Sequence, residues 1–188
     1  MVTVLTTVCL LSGALLSWLH SLTAGPVAAA EREARVGAIA EVLPAFDNDP
    51  VGDAVAVAVG GEVDSVTVYP ARANGKLAGA AVESVSKDGF SGEIRIIFGF
   101  DASGGITGYR VMSHAETPGL GAKMEEWFRM DQGRRSVIGR NPGGSPLKVS
   151  QDGGDVDGIT AATITSRAFL GALQRGYEAF EQFKREEK

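Results

Sequence analysis

The chain has 188 residues, a formal net charge of −5 at pH 7 and a pI near 5.1, enough for one ordinary core plus an appendage. That acidic balance lacks the basic footprint that binding a phosphate backbone requires, so no nucleic acid partner is expected. A single cysteine, Cys9, rules out an internal disulfide, a cysteine-based zinc site and a protein-ligated iron–sulfur cluster, and two histidines, His20 and His114, are too few for most histidine metal sites; a redox role would need an organic cofactor.

No charged side chain precedes Glu31. From Val2 to about Ala24 the apolar run is long enough to cross a hydrocarbon core of about 30 Å at about 1.5 Å per helical residue. Residues 1–30 are therefore predicted to be a single membrane anchor. The rival reading is a cleaved signal peptide with Ala28 to Ala30 as the cleavage site, but the basic leading segment is missing and the apolar run is longer than a signal sequence needs. Cys9 follows "TTV" and lacks the small residue expected before a lipoprotein cysteine, so it reads as a lipid-facing or packing residue. No Lys or Arg precedes the anchor, and Arg32 and Arg35 follow it among acids, so the positive-inside rule gives no orientation.

Residues 31–50 are predicted to form a juxtamembrane helix and linker. Val36, Ile39, Ala40 and Leu43 fall at helical spacing until Pro44 ends the helix and "DNDP" turns the chain. Residues 51–188 form the remaining domain. Four β-type runs follow, "SVTVYPAR", "KLAGAAVESVS", "EIRIIFGFD" and "GITGYRVMSHAE", separated by Gly, Asn and Asp turn signals and read as antiparallel strands. Leu120, Met124, Trp127 and Phe128 predict a helix over 120–130, and residues 143–154 read as a loop around one short strand at "LKVS". From Ser166 to about Phe183 a stripe of Phe169, Leu170, Leu173, Tyr177 and Phe180 predicts an amphipathic helix. The fold class expected is α+β, with one N-terminal transmembrane helix, then a mainly antiparallel sheet with flanking helices.

Several stretches suggest a site. "DGGDVDGI" alternates Asp155 and Asp157 ahead of Gly158, but a calcium loop in that register needs an acid at Gly153 and a closing glutamate at Ile164, so it reads as a solvated turn. "GGITGYR" and "NPGGSP" lack the spacing of a phosphate-cradling loop and read as turns. In "SHAETPGLGAK", Pro118 and Gly119 signal a turn and Gly121 allows close backbone approach. Its plain structural reading is a strand-to-helix connection in which His114 is a polar strand residue and Glu116 caps a nearby amide.

"DGITAATITSR", Asp157 to Arg167, places Thr160, Thr163, Thr165 and Ser166 around Ala161 and Ala162, just before the last helix. Thr163, Thr165 or Ser166 could be its N-cap. A cap needs one hydroxyl, however, and a helix start with free amides between small residues also suits a phosphate with a flat ring behind it. No base neighbours these hydroxyls in the sequence, so a covalent group at Thr165 would be installed by another enzyme.

"DGITAATITS" resembles the flavinylation signature, Asp-x-x-Ser/Thr-Gly/Ala-Ala-Thr-x-Thr, of the FMN-binding domain found in the G-type subunit of the Rnf complex and in the C-type subunit of the sodium-pumping NADH:quinone oxidoreductase. "HAETPGLGAK" is similar to the family's second signature, His-x-Glu-Thr-Pro-Gly-Leu-Gly, and "EVLPAFDND" resembles the stretch after the membrane helix of the Rnf protein. The resemblance covers most of the chain, and length favours the Rnf relative. It implies covalent FMN esterified through its phosphate to Thr165, with Glu116, Thr117, Leu120 and Gly121 lining the flavin; the amides near Ala162 to Thr165 are expected to hold the phosphate, and Thr160 and Thr163 to belong to the same cofactor site. Lys123 either offsets phosphate charge or solvates the surface. Two departures are Ala161, where glycine is the commoner family residue, and the uncharged N-terminus. The implied function is electron transfer within a membrane complex that couples ferredoxin:NAD+ electron transfer to ion movement. Its implied partners are the other membrane subunits, a flavin transferase and lipid, with the soluble domain outside the cytoplasm. The alternatives are a membrane-anchored assembly module without cofactor, and a secreted FMN domain cleaved near Ala30.

Overall fold

The computed structural model describes residues 1–59, 65–144 and 147–187. The chain falls into two compact units, Met1–Gly37 and Ala38–Lys188. Helix α1 (Val2–Val42) is long and apolar enough to cross a membrane, and Pro26 within it removes one backbone donor. It ends at Val42, just before Leu43 and Pro44, because a residue preceding proline is driven out of the helical region.

The second unit is built on a five-stranded antiparallel meander in the order β1 (Val55–Ala58), β2 (Ser65–Ala73), β3 (Lys76–Gly89), β4 (Gly92–Asp101) and β5 (Ile106–Ser113). Side chains alternate between faces, as strand geometry demands. Val68, Val82, Ile96, Phe98 and Phe100 point into the main core beneath helix α3 (Thr163–Glu186), whose Phe169, Leu170, Leu173 and Phe180 meet them. Tyr69, Ala81 and Ile97 face the other way and pack against Ala38, Ile39 and Val42. Gly99 lacks a side chain because a Cβ there would strike the Val42 carbonyl, which also accepts the Thr107 hydroxyl hydrogen bond. Pro70 cannot donate to the ladder, and it sits beside the register shift at Ala71/Arg72.

The α+β expectation holds, with local differences. β1 is four residues long with only Val57 buried, too short for an alternation pattern to reveal it. The helix expected over 120–130 is a 3-10 turn (Gly121–Lys123) followed by α2 (Met124–Trp127), because the chain there is tethered by Tyr109 donating to the Met124 carbonyl and by Trp127 donating to the Asp157 carbonyl. "LKVS" forms no strand. Val149 makes one isolated parallel bridge to Val156, and a 3-10 turn at Ser150–Asp152 follows. Residues 145 and 146 of the "NPGGSP" turn lie outside the described residues.

Candidate functional site

Two segments far apart in sequence meet at the start of α3. Asp157 anchors the first: its carboxylate accepts from the Arg134 amide at 3.0 Å, and its carbonyl accepts the Trp127 indole N–H at 2.8 Å. The Ser166 hydroxyl then staples the turn, accepting from the Ile159 amide at 2.9 Å and donating to the Ala162 carbonyl at 3.0 Å. Ala161 bends the chain with φ of 62°, a left-handed conformation that glycine adopts more readily. This is the position where the sequence motif departs from glycine.

The N-cap of α3 is Ala162, and no side chain caps the helix. The capping role considered for Thr163, Thr165 or Ser166 is therefore not what these hydroxyls do. Thr163 and Thr165 lie inside the helix, which begins three residues earlier than the hydrophobic stripe suggests. Ser166 bonds backward to the turn instead. The first-turn amides remain without intrahelical partners at the positive end of a helix dipole.

The second segment follows β5. Thr165, only 1% exposed, donates its hydroxyl hydrogen bond to Glu116 Oε2 at 2.6 Å, and Glu116 is itself 5% exposed. The other carboxylate oxygen, Oε1, accepts from the Ser91 amide at 3.0 Å. The Glu116 amide donates to His114 Nδ1 at 3.1 Å, and His114 Nε2 lies 3.0 Å from Glu125 Oε1. His114 is thus a brace for the turn beyond the end of β5. Gly121 closes over the pair: a Cβ there would lie 2.7 Å from Thr165 Oγ1 and closer still to Glu116 Oε2, so no side chain fits.

A cavity of about 340 Å³ opens beside this junction, within the range of about 300–1,000 Å³ typical of small-molecule sites. Of the residues singled out in the sequence, Thr117, Leu120, Gly121, Ala162, Thr163 and Thr165 line it. Glu116 sits behind Thr165. Thr160 and Lys123 are exposed and do not line the cavity. Phe90, Ala161 and Ile164 do line it and were not singled out as site residues. Only the hairpin signal between "KLAGAAVESVS" and "EIRIIFGFD" hinted at Phe90, which sits at its tip.

The residues suit a flavin phosphate: uncapped amides can receive the anion, small Ala161 and Ala162 allow close approach, and an apolar rim can receive a ring. The aspartates of "DGGDVDGI" are instead engaged by arginines. Asp152 pairs with Arg167 at 2.6 Å, Asp155 with Arg140 at 2.8 Å and Asp157 with Arg134 at 3.3 Å. The Arg167 hydrogen bond holds the Asp152 carboxyl below its ordinary value.

Residues 89–178 match the FMN-binding domain model. The G-type subunit of the ion-translocating oxidoreductase complex from Cereibacter sphaeroides is 38% identical over 183 residues, covering 94% of this chain and 81% of the relative. The protein of the same name from Aliivibrio fischeri is 35% identical over 170 residues, covering 86% of this chain and 80% of the relative. A third, from Vibrio vulnificus, is 40% identical over 122 residues, covering 63% of this chain and 56% of the relative. With the cavity at the junction of two signature segments and this similarity along nearly its whole length, the chain belongs to the family of G-type subunits of the ion-translocating oxidoreductase complex and carries their FMN-binding domain.

Proposed function

We propose that this protein is the membrane-anchored, electron-carrying subunit of an Rnf-type ferredoxin:NAD+ oxidoreductase coupled to ion translocation, with FMN esterified through its phosphate to Thr165. The observation that carries this reading is the placement of Thr165 at the uncapped start of α3, among the residues that line a cavity with an apolar rim. A bound flavin supplies one- and two-electron chemistry; the protein holds it and tunes its surroundings. The amides of Thr163, Ile164 and Thr165 receive the phosphate, and Thr117, Leu120 and Gly121 form the wall facing it. An ester bond keeps the cofactor on a domain open to solvent. The anchor holds the domain at the membrane beside the other subunits, on the extracytoplasmic side, and a flavin transferase installs the group.

The test is intact mass with peptide mapping of protein from its own host. An added FMN-phosphoryl mass on the Thr165 peptide supports the reading. An unmodified mass from a host that flavinylates other proteins would leave an assembly module without cofactor. Thr165→Ala should abolish the added mass at a stability loss of about 1–3 kcal/mol, since it leaves one oxygen of buried Glu116 without its donor. Thr163→Ala should keep the covalent flavin; losing it there while Thr165→Ala retains it would move the attachment site.

A further inference from the structure

Among the described residues the buried acids are Glu83 and Glu116, and they are partnered differently. Glu83 meets the Tyr69 hydroxyl at 2.9 Å and the Arg95 guanidinium at 3.3 Å, as a structural carboxylate does. Glu116 has no cationic partner among the described residues. Its oxygens receive one backbone amide, that of Ser91, and one hydroxyl, that of Thr165.

A hydroxyl within hydrogen-bonding reach of a base, with the base oriented by a third group, is the arrangement of an activated nucleophile. Thr165, Glu116 and the Ser91 amide form that arrangement. Gly121 keeps it free of a side chain, and the His114 contact to the Glu116 amide fixes the turn that carries the base.

We infer that Glu116 is the general base for flavin attachment, so that the acceptor protein supplies part of its own modification chemistry. This inference rests on the proposal that Thr165 carries the flavin. Thr165 Oγ attacks the flavin-bearing phosphorus of a dinucleotide donor, flavin adenine dinucleotide, brought by the transferase. The Oγ–P bond forms, the P–O bond of the anhydride breaks, and adenosine monophosphate leaves. The hydroxyl proton passes to Glu116 Oε2 and then to solvent, and no electron transfer occurs. An anhydride is required because esterification by free FMN would have to expel hydroxide.

The experiment uses the full chain in detergent with a purified flavin transferase and flavin adenine dinucleotide, following the added mass on the Thr165 peptide over time. Glu116→Gln keeps the shape but cannot take the proton, and attachment should slow by about 10²–10⁴-fold, the usual worth of a general base. Glu116→Ala should slow likewise and be restored by added formate, a small carboxylate that can occupy the vacated space. Glu116→Gln labelled at the parent rate would overturn the inference and place the base on the transferase. Slow labelling of both variants with no formate rescue would also overturn it, leaving Glu116 as a structural strut. No added mass on the parent protein, under conditions that label a known acceptor, would instead defeat the reading of Thr165 as the attachment site.

Discussion

At the scale of single residues, the site is held by positions where side-chain size is decisive. Gly121 must be glycine because Thr165 and Glu116 occupy the space a Cβ would need. Ala161 is the opposite case: a left-handed φ of 62° with a methyl group present. That conformation costs an ordinary L-residue about 1–2 kcal/mol, against a smaller entropic penalty for glycine in the unfolded chain. Ala161→Gly should therefore raise stability by about 0.5–1 kcal/mol in urea unfolding. A midpoint equal to the parent's would mean that the turn relaxes around alanine without strain. The same substitution restores the commoner residue of the family signature, so it should leave flavin attachment intact.

At the scale of elements, the β3–β4 hairpin matters as much as the start of α3. Gly89 pairs with Gly92, and a Cβ on Gly89 would lie 2.9 Å from Glu116 Oε1. The Ser91 amide bonds to that same oxygen. The hairpin tip is thus tied to the carboxylate holding Thr165, and it leaves Phe90 68% exposed on the cavity rim. An apolar ring of this size gains when it is covered, by about 25 cal/mol per Å² of area removed from water, and a flavin ring in the cavity would cover it. Phe90→Trp should then remove most of the flavin emission, because an indole in contact with an isoalloxazine quenches it by electron donation and a phenyl ring does not. Ile138→Trp, also at an exposed position but outside the cavity lining, should leave the emission unchanged. Equal emission from both variants would show that the ring lies away from the hairpin.

At the scale of the whole molecule, the core under the sheet is an aromatic cluster on α3. Phe169 stacks on Phe128 at 4.3 Å and meets Tyr109 edge-on at 4.9 Å and Phe98 edge-on at 5.5 Å. Burial pushes the Tyr109 phenol up to about 12, opposed in part by the Arg129 guanidinium above its ring. Because the folded-state value lies above the unfolded one, this stabilisation is complete below pH about 10 and is lost as the pH rises toward 12. Thermal melts should therefore weaken through that alkaline window, and Tyr109→Phe should weaken less steeply there. The anchor was legible in the sequence as an uncharged apolar run of spanning length, and four of the strands and the last helix as apolar runs or stripes bounded by turn signals. β1 and α2, four residues each, are too short to carry a period, and their form follows from what they pack against. Both segments that meet at the candidate site were also legible, as local motifs of turn, small and hydroxyl residues. What the chain order concealed was their relation. No base stands near Thr165 in sequence, yet folding brings Glu116, 49 positions away, to 2.6 Å from its hydroxyl. Local pattern is written in neighbouring residues, whereas a hydroxyl and the carboxylate it bonds need only converge in space, and only the packing of α3 against the sheet and the turn after β5 decides that.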